Sequence, residues 1–559
     1  MNAYLLYKDK EWVGASKYFD SKSIVQDLGL KTLYMNAGKD VVFENGAAKQ
    51  IKEQDPFITD TMSRVMVVPL VSKEEILYRQ KILKDCLENE SFIQDLYKAA
   101  TSIVGEWDKL GRRATGYSGR SDDAGWTVTQ IHLTSLFVSG LKKIKKLLRG
   151  STVLFSSEGL KNLAKRLNEE FDDEYEKKIE TLLNDVSFYV KESEEKDGAL
   201  FVYSPRLVIQ GKLGAGLKLK DVKLKEVTSK MVRYRNPKST ISKIVGFKNS
   251  LTPDSFSVKM TPAIEKQVVQ LEQNTVNYIM TFTGEFLDRF SGFFDQLLFQ
   301  TAFYRGAVNL SRHMKRIGID YCFPTVCERN NLAFSELKEF VMCMEQRVNA
   351  VGNTCNIHDK MLVIITGANQ GGKSTFLRSV GIAQVMMQAG LQVAAESFSS
   401  GIFTSLFTHF TRREDSAMNS GRLDEELGRM NSIIDHLDNA SLVLLNESFA
   451  TTTEIDGSII AYDIIKAMNE AGVKVITVTH LLSFAQKIYA ETEEKEKNNE
   501  HSDITFFCAE RKEGGVRTFK MIQSVPELTS FGLDLYADVI GKPVIFSEVG
   551  SNEQEGIKK

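Results

Sequence analysis

Apolar positions along this chain change period several times, and each change marks an element boundary. Over residues 1–70 the short apolar pieces AYLLY and MVVPL alternate with the turn-forming NAGKD and ENGA, a pattern of short strands and turns in a small N-terminal domain. From Ser72 the period lengthens: Ile76, Leu77, Ile82, Leu83 and Leu87 recur at three- and four-residue spacing, which predicts helix. The Gly/Arg/Asp-rich stretch Gly111–Gly125 reads as a loop. A second helix is expected over about 127–148, and a longer charged one from Ser157 to Tyr189. Period two then takes over. Leu217 to Lys225 alternates apolar and basic residues with one phase slip near Asp221, the pattern of a half-buried strand or hairpin carrying a bulge. Helix returns from Pro262 to Arg316, longer than an ordinary globular helix. Beyond Pro324, fully apolar strand runs alternate with helical stretches, and ETEEKEKNNE (Glu491–Glu500) interrupts them as a solvated surface insertion.

These changes divide the chain into a small domain of unassigned role (1–70), a helical region (71–197), a basic β insert (198–262), a returning helix (263–329), an α/β domain (330–548) and a tail (549–559). The length of 559 residues, too great for one core, agrees with several domains. No stretch reaches the ~20 uninterrupted apolar residues of a membrane span, and the N-terminus has no secretory pattern. Six cysteines are scattered without metal-ligand spacing, so free thiols and a reduced, cytoplasmic location are expected, with no membrane partner. The net charge of −2 hides an asymmetry: Arg206–Lys248 holds twelve Lys/Arg against two acids. Charge segregated in this way points to a polyanion, and Lys218, Lys220, Lys223, Lys225, Lys230, Arg233 and Arg235 are the candidate nucleic-acid contacts.

The chemistry concentrates in the α/β domain. MLVIITG (Met361–Gly367) is a buried-strand run that opens into Gly367-Ala368-Asn369-Gln370-Gly371-Gly372-Lys373-Ser374-Thr375, and a helical pattern follows. Strand, glycine-rich turn and helix are the context of a P-loop. Its backbone N–H groups and helix N-terminus cradle phosphates. Lys373 is expected to reach the β/γ-phosphates of ATP and Ser374 to bind Mg²⁺. A second strand, Leu442–Leu445, ends at Asn446-Glu447, where an acidic pair usually serves magnesium and the attacking water; Glu447 is the candidate for orienting water. A third strand, Lys474–Thr479, ends at His480, a candidate γ-phosphate sensor or a simple strand cap.

Together these motifs resemble the MutS family of DNA mismatch-repair ATPases, members of the ABC superclass. GANQGGKST keeps the family's GPNxxGKST form with Ala368 in place of proline. LVLLNESFATTTEIDG follows its second motif, TVTH its switch histidine at His480, and LTSFGLDLYADVIGKP its Ser-Tyr-Gly segment and closing helix. Val351-Gly352-Asn353 is similar to the segment that approaches the adenine. The resemblance implies a multidomain α/β plus α fold: a C-terminal ABC-type ATPase domain with dimerisation helices, and a helical core and lever carrying a basic clamp-like insert. It also implies a homodimer in which Ser420 and Gly421 of one chain cap the γ-phosphate held by the other, with Asn446 on the magnesium side. Asn446 departs from the family's Asp, and Asn419-Ser420-Gly421-Arg422 from its Ser-Thr-Phe signature. No Gly-x-Phe-x-Glu, the mismatch-wedging motif, is present. The expected function is an ATP-dependent clamp on nucleic acid, double-stranded DNA first, in repair or recombination. Two alternatives stand beside it: a nucleotide-gated scaffold with little hydrolysis, and a similar ATPase acting on structured RNA or ribosomes.

Overall fold

The computed structural model describes residues 1–10, 20–44, 47–115, 124–151, 155–185, 200–213, 219–234, 262–368, 370–411, 421–512 and 516–526. Two compact units divide the chain, Met1–Glu11 with Asp85–Thr301, and Trp12–Lys84 with Ala302–Lys559.

The first unit is mainly helical, with α5 (Glu90–Thr115), α6 (Ala124–Ser151), α7 (Glu158–Glu170), α8 (Asp173–Asp185) and the earlier part of α9 (Pro262–Ile317). Phe286, Phe290, Phe293, Phe294 and Leu297 of α9 recur at helical spacing and are fully buried with Phe137 and Phe171. The close approach of α5 and α6 requires Gly140, where a Cβ would lie 2.5 Å from Ile103 Cδ1. Where one long charged helix was expected from Ser157, the chain forms two. Phe171 turns into the core with φ −130°, and the Asp172 carboxylate accepts Tyr175 N–H at 2.7 Å, so that a new helix begins. Buried Lys145 joins α6 to this break through Phe171 O and Asp173, both within 2.9 Å. The basic insert is a two-stranded antiparallel hairpin of β3 (Leu200–Leu213) and β4 (Leu219–Tyr234). Its pairing slips between Gln210↔Lys223 and Lys212↔Lys220, where the phase slip at Asp221 predicted a bulge.

The second unit carries the α/β domain and corrects the reading of its N-terminal part. Residues expected as strands and turns form α1 (Ser21–Asp27), α2 (Leu30–Ala37) and α3 (Pro56–Met66), with one hairpin, β1 (Val41–Glu44) and β2 (Ala47–Ile51), and the helix expected from Ser72 follows as α4 (Lys73–Glu88). The missed signals are caps. Asp20 accepts Ser23 N–H, and Asp55 before Pro56 accepts Phe57 and Ile58 N–H. MVVPL is apolar because it is buried, not because it pairs in a sheet; Leu70 N–H bonds to Gln388 O at 2.8 Å. The main sheet has order β10-β11-β12-β8-β13-β14, from β8 (Leu362–Thr366), β10 (Ser405–Phe410), β11 (Ser441–Asn446), β12 (Lys474–Val478), β13 (Ile504–Arg511) and β14 (Arg517–Gln523). All neighbours are parallel except β13 and β14. One face packs on α12 (Arg422–Ile434), α13 (Glu454–Glu470) and α14 (Leu482–Lys497) through Met430, Ile465 and Phe484. α14 continues through most of the acidic stretch expected as an insertion, which is its exposed end. On the other face α11 (Lys373–Gln388) passes so close to Leu444 and Leu28 that a Cβ at Gly381 would sit 2.7 and 2.8 Å from them. A smaller sheet, β5-β9-β6-β7 (Thr325–Val326, Ser397–Ser400, Leu332–Leu337, Asn353–Ile357), stands beside it with α10 (Phe340–Gln346).

Candidate nucleotide-binding site

β8 is buried at all five positions and lies between β12 and β13 in the sheet. Pairing of Ile365 and Asn446 with the same residue, Val478, sets the carboxyl ends of β8, β11 and β12 level. That edge is where ligands bind in parallel α/β sheets.

The loop leaving β8 needs glycine for two separate reasons. Gly367 and Gly372 have φ of 110° and 95°, a region that side chains rarely enter. Gly371 lacks room: a Cβ there would lie 2.7 Å from Ala509 Cβ of β13. Its N–H bonds to Ala368 O at 3.2 Å, closing the turn. Gln370, also left-handed at φ 61°, accepts a hydrogen bond from Arg517 Nη1 at 2.8 Å. Lys373 opens α11, is 4% exposed, and donates to Gly367 O at 2.5 Å and Ala368 O at 3.1 Å. No side chain caps this helix end, so its first N–H groups are available to an anion.

A cleft of about 450 Å³ opens over the loop, within the range of small-molecule sites. Gln370, Gly371, Gly372, Lys373, Ser374, Thr375 and Glu447 form its polar side; Asn369 lies outside the described residues. Met342, Val348, Val351 and Phe519 form an apolar wall with Gln346, Ala350 and Asn353. This wall escaped sequence reasoning, except near Asn353, because apolar lining has no motif of its own. Asn353 is placed differently from a simple ligand contact. Its carboxamide accepts Met521 N–H at 2.7 Å and donates to Phe519 O at 3.3 Å, tying β14 to β7 and presenting Phe519 at the cleft.

Asn446 ends β11, and its Oδ1 is buried without a hydrogen-bond partner among the described residues. A buried acceptor in that condition is costly; Asn446 itself does not line the cleft but directly precedes Glu447, which does. An Mg²⁺-bound water or the ion itself would satisfy it, so the donor set of Ser374 and Asn446 fits a hard cation. Glu447 has φ 55° and is fixed by its own N–H to Val478 O at 2.8 Å.

His480 is not brought into the cleft lining; it lies near Glu454. That carboxyl is held below the ordinary range by Ser483 N–H and by further contacts that include the His480 charge. Gly421 is the N-cap of α12 and does not line the cleft, and Ser420 lies outside the described residues. Of the candidate nucleic-acid contacts, Lys220, Lys223, Lys225, Lys230 and Arg233 lie on β4, whereas Lys218 and Arg235 fall outside the described residues. The closing Leu528–Pro543 segment also falls outside them. All six cysteines are free, and among the described residues no helix is long and apolar enough to cross a membrane.

Two family models match this chain, the MutS2 N-terminal domain over residues 71–317 and MutS domain V over residues 363–553. The chain belongs to the MutS family. MutS domain V is an ABC-type ATPase domain, and eight of the fourteen residues lining the cleft, its loop side with Glu447 and Phe519, fall within that match. Among curated relatives, the DNA mismatch repair protein MutS of Clostridium kluyveri is 25% identical over 427 residues, covering 71% of this chain and 47% of its own length. MutS of Thermotoga maritima is 32% identical over 188 residues, 33% of this chain and 22% of the relative. The DNA mismatch repair protein MSH3 of Candida albicans is 30% identical over 167 residues, 29% of this chain and 16% of the relative. The chain thus spans less than half the length of these relatives.

Proposed function

We propose that this MutS-family chain binds ATP in the cleft at Lys373, hydrolyses it, and couples the cycle to a dimeric clamp on nucleic acid, double-stranded DNA first. One observation carries the ATPase reading: the P-loop residues Gln370–Thr375 and Glu447 line one cleft at the carboxyl edge of a parallel sheet, where β11 ends in Asn446, whose Oδ1 has no partner among the described residues. In this reading the apolar wall with Phe519 takes the base, while Lys373 and the first turn of α11 take the phosphates. Ser374 and Asn446 would hold Mg²⁺, which would neutralise phosphate charge when bound. Glu447 orients the attacking water, so catalysis is mostly positioning. Ser420 and Gly421 act on the partner chain's nucleotide, a reading that rests on the family resemblance of this segment. That arrangement suits two-fold symmetry. The relatives named as DNA mismatch repair proteins support DNA as the polymer, and the basic composition of the β3–β4 hairpin supports a backbone contact.

A second reading is favoured by Asn446 itself. An amide supplies no negative charge to the magnesium side, which suits a nucleotide-gated scaffold that barely hydrolyses ATP. ATP binding and turnover, measured alone and with duplex, branched and single-stranded DNA and with structured RNA, separate the two. Turnover stimulated by duplex, and lost in Glu447→Gln with ATP binding kept, is the expected result. Tight ATP binding without turnover under every condition leaves the scaffold, and stimulation by structured RNA alone moves the target from DNA.

A further inference from the structure

The turn that carries Glu447 has an unusual support. Glu447 and Phe449 both adopt left-handed backbone, at φ 55° and 65°. Such geometry is unfavourable for residues other than glycine and persists only where the surroundings hold it. The holding group is Glu426 of α12, the helix that starts at Gly421. Its side chain is buried, and both oxygens are used: Oε1 accepts Phe449 N–H and Oε2 accepts the Thr451 hydroxyl, each at 2.7 Å. Charged acceptors make the stronger class of hydrogen bond, and a buried carboxylate is tolerable only when satisfied in this way. His409 of β10, fully buried, reinforces the joint. Its Nδ1 lies 2.7 Å from Ser448 Oγ, its Nε2 3.2 Å from Glu426 O, and its ring stacks on Phe449 with centroids 5.9 Å apart. The Thr411 hydroxyl donates to Glu447 O at 2.9 Å. None of these groups lines the cleft except Glu447.

We infer that Glu426 is a positioning residue for ATP hydrolysis, holding the turn that aims Glu447 and joining that turn to the helix beginning at Gly421. The inference rests on the hydrolytic reading of the cleft proposed above. Its consequence is selective. In that reading the phosphates are taken by Gln370–Thr375, whereas the Glu426 carboxyl bonds Phe449 and Thr451, so losing it leaves ATP affinity intact and misdirects Glu447.

The test measures kcat, ATP Kd and amide hydrogen exchange at Phe449 in the full chain for Glu426→Ala, Glu426→Gln and Thr451→Val. Glu426→Ala is expected to lose roughly 10- to 100-fold in kcat, the scale of a small misplacement of a catalytic group. ATP Kd stays at the wild-type value, and the Phe449 amide exchanges faster. Thr451→Val, which removes one bond from a nearly isosteric side chain, gives a smaller loss. Glu426→Gln keeps an acceptor for Phe449 N–H and recovers most of the turnover. If Glu426→Ala does not fold, the other two variants decide. Wild-type kcat in the variants, or kcat and ATP affinity falling together, overturns the positioning role while turnover abolished by Glu447→Gln still supports the hydrolytic reading. A wild type that binds ATP without turnover overturns that reading, and this inference with it.

Discussion

Lys373 and Asn446 make opposite demands on a buried site, one a cation held by carbonyls and the other an acceptor without a donor. In the proposed function a nucleotide would resolve both. Phosphate oxygens would compete for the Lys373 ammonium, and a hydrated cation would satisfy Asn446 Oδ1. Lys373→Ala is therefore expected to weaken ATP binding by tenfold or more while the thermal melt is retained, because hydrogen bonds to charged groups are worth about 1.5–3 kcal/mol. A fluorescent-nucleotide titration checks it, and unchanged affinity in a folded variant removes the P-loop from the phosphate site. Asn446→Asp adds a charge where the amide now ends β11, and is expected to raise turnover or sharpen its Mg²⁺ dependence. An inactive aspartate variant would give Asn446 a role of its own. At this scale the loop side of the cleft was legible in the sequence, because P-loop chemistry dictates residue types at fixed spacing. The apolar wall was not. Phe519 reaches the cleft through a left-handed backbone (φ 60°) and the Asn353 clamp, neither of which leaves a local signature.

At the scale of elements, strand runs and the long α9 could be read directly, whereas the N-terminal helices could not. α1 and α2 are only 7 and 8 residues long, too short for a period to declare itself; α1 starts on a single cap, Asp20, and α2 on Gly29 with no side-chain cap. What anchors this region is the C-terminal part of α9. Asp40, just before β1, pairs with Arg305 at 2.8 Å and Arg312 at 2.5 Å, and His313 Nε2 meets Lys39 O at 3.0 Å. His313 is fully buried, and burial drives its pKa down to about 4. A folded pKa below the unfolded value of 6.5 means that the unfolded chain binds the proton first. Stability from this group is complete above pH 6.5 and declines as pH falls toward 4. At 1.36 kcal/mol per unit, the loss across that window is on the order of 3 kcal/mol. His313→Gln keeps an N–H donor for Lys39 O but cannot titrate. Its denaturant stability is expected to fall less than wild type's between pH 6.5 and 4, and parallel curves would show that His313 does not control the acid limb.

At the scale of the whole molecule, the two units divide the labour proposed here, with nucleotide chemistry in the second and the basic hairpin in the first. Period two and lysine content made the hairpin legible, down to the bulge, because a β pattern with one charged face is strongly specified. Counterion release gives its proposed role a quantitative signature: affinity for duplex DNA falls with salt at a log–log slope of about −0.9 per neutralised phosphate. Reversing Lys218, Lys220, Lys223 and Lys225 to glutamate is expected to weaken binding about equally across sequences, since phosphate contacts carry no base information, and to flatten the slope. ATP affinity at Lys373 should be retained, because the cleft belongs to the other unit. Net charge alone could mimic the loss, so the matched control reverses four exposed lysines of α7 and α8, Lys161, Lys165, Lys177 and Lys178, to the same total. Filter binding over a salt series reads both variants. A hairpin variant with wild-type affinity and slope, or a control that weakens binding equally, reduces the lysines of β4 to a solvated surface and removes the clamp from the proposed function.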